Sequence, residues 1–506
     1  MRKAVIFFCS LLLFWLGAGP ALGTEYLLHL EEGISNEREY RELTFLTGEP
    51  VILTGTVQKS QRAGRGGGYQ TNLSYKLSDS TGSIKLNRTV SFSSSEEKKM
   101  EDKQTVYVTS VDRISETVTV GKDRYTLKDY QFSKSTLVDH QPAVAYFSGN
   151  WSGRKTYVLG KDQATVVVET WGDTVGYDHA WGSTETQRVD GIIRFTGDLI
   201  KDKERYPQEW SGTFQLHISV NRSRELSYQP NEPTPISFAG GYLESIQEEG
   251  ILRYEANLPR FDAEGFLEKG RSRKQVSGST RLTTLPSQRR LPVPLFRDIS
   301  GHWAEGPILE LASLEAFPAR GEYFGPRLPM TRGEFARALA RLTGMETAKE
   351  SRQTALNPFD RFNREEEKEI SLFVDVRVDH PYYQEIKAVS QAGVIKGTRP
   401  GSFDPGGVLT RAQAITALIR ALGFEGLAPF NPSPTPFRDD QEIPYWARDA
   451  IYVAAEMGLV SGDAFGRVLP GETMSRAEAA VFLQRFINYM QREMKSEYRD
   501  RLLHFR

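Results

Sequence analysis

The chain changes its hydrophobic pattern near its middle. Up to about residue 290, β-branched and aromatic residues recur at alternate positions in runs such as PVILTGTVQ (50–58), ATVVVET (164–170) and TFQLHISV (213–220). Turn-forming residues separate these runs, as in SDSTGS (78–83). A two-residue period predicts strands with one buried face, and many such strands predict β-rich domains that are sandwich- or barrel-like.

Domain boundaries follow from length and composition. The β-rich region is long for a single sandwich, so we expect two β-rich units at 24–140 and 141–270. The segment 271–295 is basic, rich in Ser and Thr and then interrupted by prolines, which predicts a linker. Beyond it, runs such as EFARALARLTG (334–344) have the 3.6-residue period of helices. We therefore expect the two halves to fold independently.

The helical half contains three copies of an internal repeat. Each copy opens with Phe-x-Asp, at FRDISGHWAEGPI (296–308), FVDVRVDHPYYQEI (373–386) and FRDDQEIPYWARDAI (437–451). Each continues with an apolar residue and a proline shortly before a helix start. The predicted units are 296–345, 371–425 and 435–490, with an insertion at 346–370 and a C-terminal helical extension at 491–506.

The three helix starts are alike: MTRGEF, LTRAQA and MSRAEA. A Ser or Thr stands three positions before a Glu or Gln, the spacing of a capping box. The predicted cap pairs are Thr331 with Glu334, Thr410 with Gln413, and Ser475 with Glu478.

These units resemble S-layer homology domains. The resemblance rests on the F-x-D openings, the W-A-x-x-x-I pattern of the first and third units, AGVIKG (392–397), FDP (403–405) and the helix starts. It covers residues 296–490. The second unit departs from the pattern, because Pro381 stands where the other units have tryptophan. The resemblance implies an all-α pseudo-threefold bundle that fastens exported proteins to secondary cell-wall polysaccharide.

An arginine follows each cap, at Arg332, Arg411 and Arg476. A cation is mildly unfavourable at the positive end of a helix. One such arginine is adequately explained as a solvated side chain, but three in one register favour a binding role. Free N–H groups at a helix N-terminus and a planar guanidinium both suit a carboxylate.

The resemblance implies that the ligand is an anionic glycan, often carrying pyruvate ketals, held in grooves between repeats. We expect the grooves of Arg411 and Arg476 to dominate, since their units are closest to the family pattern.

Further candidates for glycan contact recur in the three units. The opening aspartates either cap the following turn, which we prefer, or accept bonds from sugar hydroxyls. The aromatic residues either belong to the core, which we prefer, or stack on sugar rings. A lysine is a possible second cation. These candidates are Asp298, Asp375, Asp439, Trp303, Tyr382, Trp446 and Lys396.

The net charge and the first residues of the chain indicate where the protein is located. The formal net charge of the 506 residues is −1, which gives no global attraction to nucleic acid or anionic lipid. Arg2 and Lys3 precede an apolar run that ends at ALG, which predicts a signal peptide at 1–23 and an extracellular protein of the cell wall. No other run is long enough to span a membrane. The only cysteine, Cys9, lies in the predicted signal peptide, so we expect no disulfide.

The β-rich half carries no motif for catalysis, a metal or a cofactor. It has no G-x-S-x-G and no H-E-x-x-H pattern. In TWGDTVGYDHAWGS (170–183), aromatic residues stand near acids and His179. They line either a sugar site or, as we prefer, a hairpin with packed aromatic side chains.

Three functional classes remain: a displayed structural protein that self-associates in a surface layer, a wall-anchored enzyme acting on polysaccharide, and an adhesin. The missing catalytic motif favours the first.

Overall fold

The structure is a computed structural model. It describes residues 33–36, 39–63, 68–100, 103–161, 163–201, 204–230, 240–262, 266–268, 273–318, 321–345, 371–430 and 434–493. The predicted signal peptide, the insertion and most of the C-terminal extension lie outside these residues. Among the helices within them, none has the length and apolarity needed to cross a membrane.

The β-rich half is one antiparallel sheet of fourteen strands. The first thirteen strands lie side by side in chain order, and β14 pairs with β12. The strands are β1 (Gly33–Ser35), β2 (Tyr40–Thr44), β3 (Val51–Ala63), β4 (Tyr69–Ser78), β5 (Ile84–Lys99), β6 (Gln104–Val120), β7 (Asp123–His140), β8 (Val144–Leu159), β9 (Ala164–His179), β10 (Gly182–Lys201), β11 (Glu204–Gln229), β12 (Gly241–Pro259), β13 (Arg273–Thr283) and β14 (Ser287–Leu291).

The predicted boundary near residue 140 is wrong, because it falls at a hairpin inside this sheet. β7 pairs with β8 from Tyr125 opposite Leu159 to His140 opposite Ala145. The prediction relied on the length of the region. The strands are unusually long, with 26 residues in β11, so one sheet uses the chain expected for two units.

The predicted linker at 271–295 is also wrong, because it supplies the last two strands. β13 pairs with β12 from Arg273 opposite Pro259 to Thr283 opposite Glu249. Most side chains of β13 and β14 are exposed or half-buried. Because little of either face is buried, the sequence of these strands shows little apolar alternation.

The sheet curls until its two ends meet, so that it is nearly closed into a barrel. Arg41 on β2 donates through Nη1 to Thr280 Oγ1 at 3.0 Å and to the Arg281 carbonyl at 3.1 Å on β13. Ile34 on β1 is fully buried against Gly250 on β12. The enclosed core includes Leu53, Phe92, Val166, Leu216 and Leu252.

Each repeat of the second half supplies two α-helices among the described residues. The helices are α1 (Glu305–Ser313), α2 (Arg332–Thr343), α3 (Tyr383–Gln391), α4 (Arg411–Leu422), α5 (Tyr445–Glu456) and α6 (Arg476–Asn488), and a π-helix (Tyr489–Glu493) follows α6. Their buried faces carry the alanine, leucine and isoleucine residues of the 3.6-residue pattern.

The sheet is docked on the C-terminal ends of α2 and α4, an interface that we name the junction. Trp181, in the β9–β10 turn, is 1% exposed and donates through Nε1 to the Leu342 carbonyl near the end of α2, at 2.8 Å. The Ala143 N–H in the β7–β8 turn donates to the Ala421 carbonyl near the end of α4, at 2.8 Å. Ala143 and Trp181 share one core with the helices. The two halves are therefore joined by packing, which contradicts the predicted linker.

Candidate functional site

The three helix starts have reciprocal capping boxes. Thr331 Oγ1 accepts from the Glu334 N–H at 3.2 Å, and Glu334 Oε2 accepts from the Thr331 N–H at 3.1 Å. The same pair of bonds joins Thr410 with Gln413 and Ser475 with Glu478. The caps satisfy two backbone donors at each helix start.

The next backbone donors point at a neighbouring repeat. The N–H groups of Arg332 and Gly333 donate to the carbonyls of Gly407 and Pro405, both at 2.9 Å. The matching bonds run from Arg411 to Glu472, from Ala412 to Pro470, from Arg476 to Leu328 and from Ala477 to Pro326. The prediction that these helix ends offer free N–H groups to an anion is therefore wrong. The donors instead link the first repeat to the second, the second to the third and the third to the first.

Arg332 takes part in this repeat-to-repeat contact. Arg332 is 4% exposed. Its Nε donates to the Phe403 carbonyl at 3.1 Å, and its Nη2 donates to the Lys396 carbonyl at 2.8 Å. Its guanidinium carbon lies 5.0 Å from the centroid of the Phe403 ring. Burial lowers the pKa of Arg332, and the charges of Asp404 and Asp375 oppose that shift. Arg332 is therefore a buried cation held by protein groups.

Arg476 lies against groups of the first repeat, although its Nε is buried without a hydrogen-bond partner among the described residues. Its guanidinium carbon lies 4.5 Å from the centroid of the Phe324 ring, and Nη2 lies 3.8 Å from Glu334 Oε1. Tyr382 also lies near Arg476 and Glu334. Burial and then the charge of Glu334 raise the pKa of Tyr382, and the charge of Arg476 opposes that shift. The Arg337 guanidinium carbon lies 5.6 Å from the centroid of the Tyr382 ring. A carboxylate and a phenol ring thus occupy the surroundings of Arg476.

Arg411 differs from the other two. Its Nε donates to the Val468 carbonyl at 2.8 Å, which fixes the side chain. Its two terminal amino groups have no hydrogen-bond or ion-pair partner among the described residues. Arg485 on α6 is exposed and likewise has no ion-pair partner within the described chain.

These two arginines line a groove of about 180 Å³ to which all three repeats contribute, here named the Trp303–Arg411 groove. Trp303 lies in its wall and is 65% exposed. Glu478 is the one carboxylate in the lining, and its Oε2 already accepts from the N–H and hydroxyl of Ser475 at 2.8 and 2.7 Å. The apolar part of the lining comes from Ile415, Leu459, Val460, Met474, Val481 and Phe482. Two available cations beside an exposed indole suit an anionic ligand with a flat apolar face.

The opening aspartates tie distant parts of their own repeat together. Asp298 accepts from the N–H groups of Phe324 and Gly325, at 2.8 and 2.7 Å. Burial raises the pKa of Asp298, but these backbone donors outweigh burial, and the pKa is lowered. Asp375 binds the N–H groups of Phe403 and Asp404, and Asp439 those of Val468 and Leu469. The preferred interpretation, capping of the following turn, is wrong: the capped loop lies 26 residues away for Asp298.

Two of the three recurrent aromatic residues lie outside the core, contrary to the preferred interpretation, whereas Tyr382 packs against it. Trp303 and Trp446 are exposed, and Tyr382 is half-buried against Arg337. Lys396 is exposed, and the contact that the structure gives it is made by its carbonyl. A glycan contact of Trp446 and Lys396 stays a prediction.

The aromatic segment 170–183 agrees with the preferred interpretation as a packed hairpin. Tyr177, His179 and Trp181 are buried at or beside the junction. Asp178 binds Arg222 Nη2 at 2.6 Å. The fold thus removes these residues from any open sugar site, and Trp171 is left at the surface.

The repeats match a known family. A sequence model of the S-layer homology domain matches residues 295–336, 372–415 and 436–480. The chain contains three S-layer homology domains. Each S-layer homology domain includes one of the three capped helix starts with its arginine. The domains and the relatives described next make this an extracellular, cell-surface protein.

The chain is also similar to parts of longer proteins. The chain is 28% identical to "Exoglucanase XynX" of Acetivibrio thermocellus over 361 residues, which is 65% of this chain and 31% of that protein. It is 29% identical to "Amylopullulanase" of Thermoanaerobacterium thermosulfurigenes over 192 residues, which is 37% of this chain and 9% of that protein. It is 26% identical to "S-layer protein sap" of Bacillus anthracis over 223 residues, which is 43% of this chain and 25% of that protein. The chain spans less than a third of the length of these relatives.

Sequence reasoning missed Arg485. An arginine stands nine positions after the first arginine of each S-layer homology domain helix, at Arg341, Arg420 and Arg485. Arg341 pairs with Glu315 and Glu385, and Arg420 pairs with Glu425. The recurrence in register was the pattern that could have pointed to this position.

Proposed function

We propose that the Trp303–Arg411 groove binds an anionic secondary cell-wall polysaccharide and thereby holds the protein at the wall. One observation carries this proposal. By repeat order, the arginine pairs that correspond to Arg411 and Arg485 are Arg476 with Arg341 and Arg332 with Arg420. In those pairs Arg476, Arg341 and Arg420 each have an ion-pair partner, and Arg332 donates to two carbonyls. Arg411 makes one bond, through Nε to the Val468 carbonyl, and neither Arg411 nor Arg485 has an ion-pair partner among the described residues. The terminal amino groups of Arg411 and Arg485 therefore stay available for a ligand.

The chemistry of the groove favours a carboxylate on a sugar. A guanidinium can bind a carboxylate through two parallel N–H donors, and charge-assisted bonds of this kind are the strong ones. A pyruvate ketal carries such a carboxylate on a sugar ring. The exposed face of Trp303 suits the C–H face of the same ring. An anion between Arg411 and Arg485 also relieves the repulsion between the two cations.

We propose further that the repeats form a pseudo-threefold bundle. Three backbone bonds of 2.9 Å support this: Met330 N–H to the Met474 carbonyl, Leu409 to Met330, and Met474 to Leu409. They close a ring in which every repeat donates to one neighbour and accepts from the other. The bundle would present the groove to the wall and display the sheet, which would assemble with other copies in a surface layer.

An enzyme acting on polysaccharide is the alternative, and the similarity to "Exoglucanase XynX" motivates it. The buried acids of the sheet speak against a general acid there. Glu42 and Glu116 both bind Arg88, at 2.9 and 2.7 Å. Burial raises the pKa of Glu116, but the charges of Arg88 and Lys155 outweigh it, and the pKa falls to about 2. A carboxylate of this kind stays ionised and holds the sheet together.

The experiment is co-sedimentation of the protein with purified cell walls before and after removal of the secondary polysaccharide. We expect binding to untreated walls and loss of binding to stripped walls. Arg411→Ala should weaken binding about 10- to 100-fold, because a charge-assisted hydrogen bond contributes about 1.5–3 kcal/mol. Arg485→Ala should weaken it in the same direction. Carbodiimide-mediated reduction of the polysaccharide carboxylates should abolish binding by the wild type.

Arg399→Ala is the matched control, because it removes an exposed cation from the same S-layer homology domain as Arg411. It should bind like the wild type. If Arg411→Ala and Arg485→Ala together sediment with walls as fully as the wild type does, the proposal is overturned.

A further inference from the structure

The outer face of the sheet carries an isolated exposed tryptophan. Trp171 on β9 is 46% exposed, whereas Trp151, Trp181 and Trp210 are 7%, 1% and 8% exposed. No ring stacks on the Trp171 indole and no cation lies over it among the described residues. A single exposed apolar side chain is common and by itself indicates nothing. Its neighbours decide whether it has a role.

A fixed row of polar side chains begins beside this indole. Asp190 on β10 is the cross-strand partner of Trp171, and Gln215 on β11 is the partner of Asp190. Gln215 Nε2 donates to Asp190 Oδ1 at 2.7 Å, and His217 Nε2 lies 3.0 Å from Gln215 Oε1. Arg188 Nε lies 3.3 Å from Asp190 Oδ2. These bonds fix the orientation of the side chains before any ligand arrives, which lowers the entropic cost of binding.

The charges on this face cancel locally. Beside the pair of Arg188 and Asp190, Glu169 lies 3.5 Å from Arg154 Nε and 2.6 Å from Arg194 Nη1. Asp173, opposite Arg188, completes three acids and three arginines. The face therefore has no net charge to attract an ion, in contrast to the two unpaired arginines of the Trp303–Arg411 groove.

We propose that this face, centred on Trp171, binds a neutral polysaccharide chain. A sugar ring offers an apolar C–H face for the indole, and its hydroxyls both donate and accept. The row can both accept and donate hydrogen bonds, since the Asp190 carboxylate can accept further bonds and the Gln215 amide can donate a further one. A protein partner would need an apolar interface core, and one exposed indole does not provide it. The site is separate from the wall-binding groove.

The test is affinity electrophoresis of the full chain in native gels containing hydroxyethyl cellulose, soluble starch or galactomannan. We expect at least one of these neutral polymers to retard the wild type. Trp171→Ala should weaken binding about tenfold or more, and Gln215→Ala about threefold. Thermal unfolding of Trp171→Ala should match the wild type, because the indole is exposed.

Tyr228→Ala is the matched control. Tyr228 is 53% exposed on β11, 13 residues from Gln215 and thus about 40 Å along the strand. It should be retarded like the wild type. Arg411→Ala should also keep full retardation, while Trp171→Ala keeps wall binding, so the two sites fail separately.

Three outcomes would overturn the proposal. One is free migration of the wild type in all three gels. Another is equal retardation of Trp171→Ala. The third is a sedimentation-velocity dimer that Trp171→Ala abolishes without any glycan effect, because the face would then be an interface between copies.

Discussion

The two ends of the bundle helices are used differently. At the C-terminal ends, α2 and α4 meet apolar turns of the sheet, and Trp181 is buried in the shared core. At the N-terminal ends, the repeats interlock through backbone bonds and arginines, and the terminal amino groups of Arg411 have no partner among the described residues. The first end is closed by another part of the chain, whereas the second end is partly open.

The difference shows that equal sequence does not produce equal chemistry. Arg332, Arg411 and Arg476 occupy the same helix position and each contacts the next repeat. Whether each guanidinium can bind a ligand depends on its neighbours. These are two carbonyls for Arg332, a carboxylate and a phenol ring for Arg476, and an open groove for Arg411. A repeated residue can therefore be held by side chains or carbonyls of the protein in two copies and keep available terminal donors in the third.

The largest effect is expected from a substitution at the C-terminal helix ends, where the sheet is packed on the helices. Trp181→Ala removes a buried indole, its bond to Leu342 and the ring beneath the Arg224 guanidinium. We expect a loss of about 4 kcal/mol in the free energy of unfolding, measured by urea denaturation. Trp303→Ala, at the open end, should cost less than about 1 kcal/mol. Equal losses would mean that the junction is not a packed core.

The next effect lies within the interlocked end. Arg332→Ala leaves the carbonyls of Phe403 and Lys396 without their donor and empties a buried space. We expect a loss of about 3 kcal/mol, since hydrogen bonds to charged groups contribute about 1.5–3 kcal/mol each. Urea denaturation monitored by circular dichroism measures it. A stability like that of the wild type would place Arg332 in solvent.

Acid should weaken the closed end. Burial, with a smaller effect from Arg222, lowers the pKa of His179 from 6.5 to about 3. Its Nδ1 accepts from the Trp181 N–H at 3.1 Å, so a proton there would oppose that donor. The unfolded chain binds the proton below pH 6.5 while the folded chain does not, so stability falls as pH drops from 6.5 towards 3.

At pH 5 the expected loss from His179 is about 2 kcal/mol relative to pH 7.5. Urea denaturation of the wild type and of His179→Gln at both pH values measures it. The variant should show a smaller difference between the two pH values. An unchanged difference would show that His179 titrates alike in both states.

The smallest effects separate capping from binding at the open end. Thr410→Ala removes the cap of α4 and should cost about 1 kcal/mol of stability with wall binding retained. Arg411→Ala loses the bond to the Val468 carbonyl but also removes a cation from the positive end of a helix; these effects oppose each other, so it should cost less than about 1 kcal/mol. Thermal unfolding paired with wall co-sedimentation distinguishes the two. The comparison fails if Thr410→Ala loses binding and Arg411→Ala loses stability.

The repeats and capping boxes were predictable because they depend on local spacing. Thr410 and Gln413 are three residues apart, and their reciprocal bonds follow from helix geometry. The single sheet was not predictable, because length does not reveal how long each strand is. The surroundings of the arginines were also hidden, since Phe403 lies 71 residues from Arg332 and only the fold brings them together.

The docking of the sheet on the helix ends also fixes how force passes through the molecule. α4 has 12 residues and is about 18 Å long, with Arg411 at its first position and Leu422 at its last. Tension applied to the sheet enters the helices at the junction and reaches the groove along their axes. The junction is packed, so along this route the sheet and the helices would share one load path with a wall polymer bound in the groove.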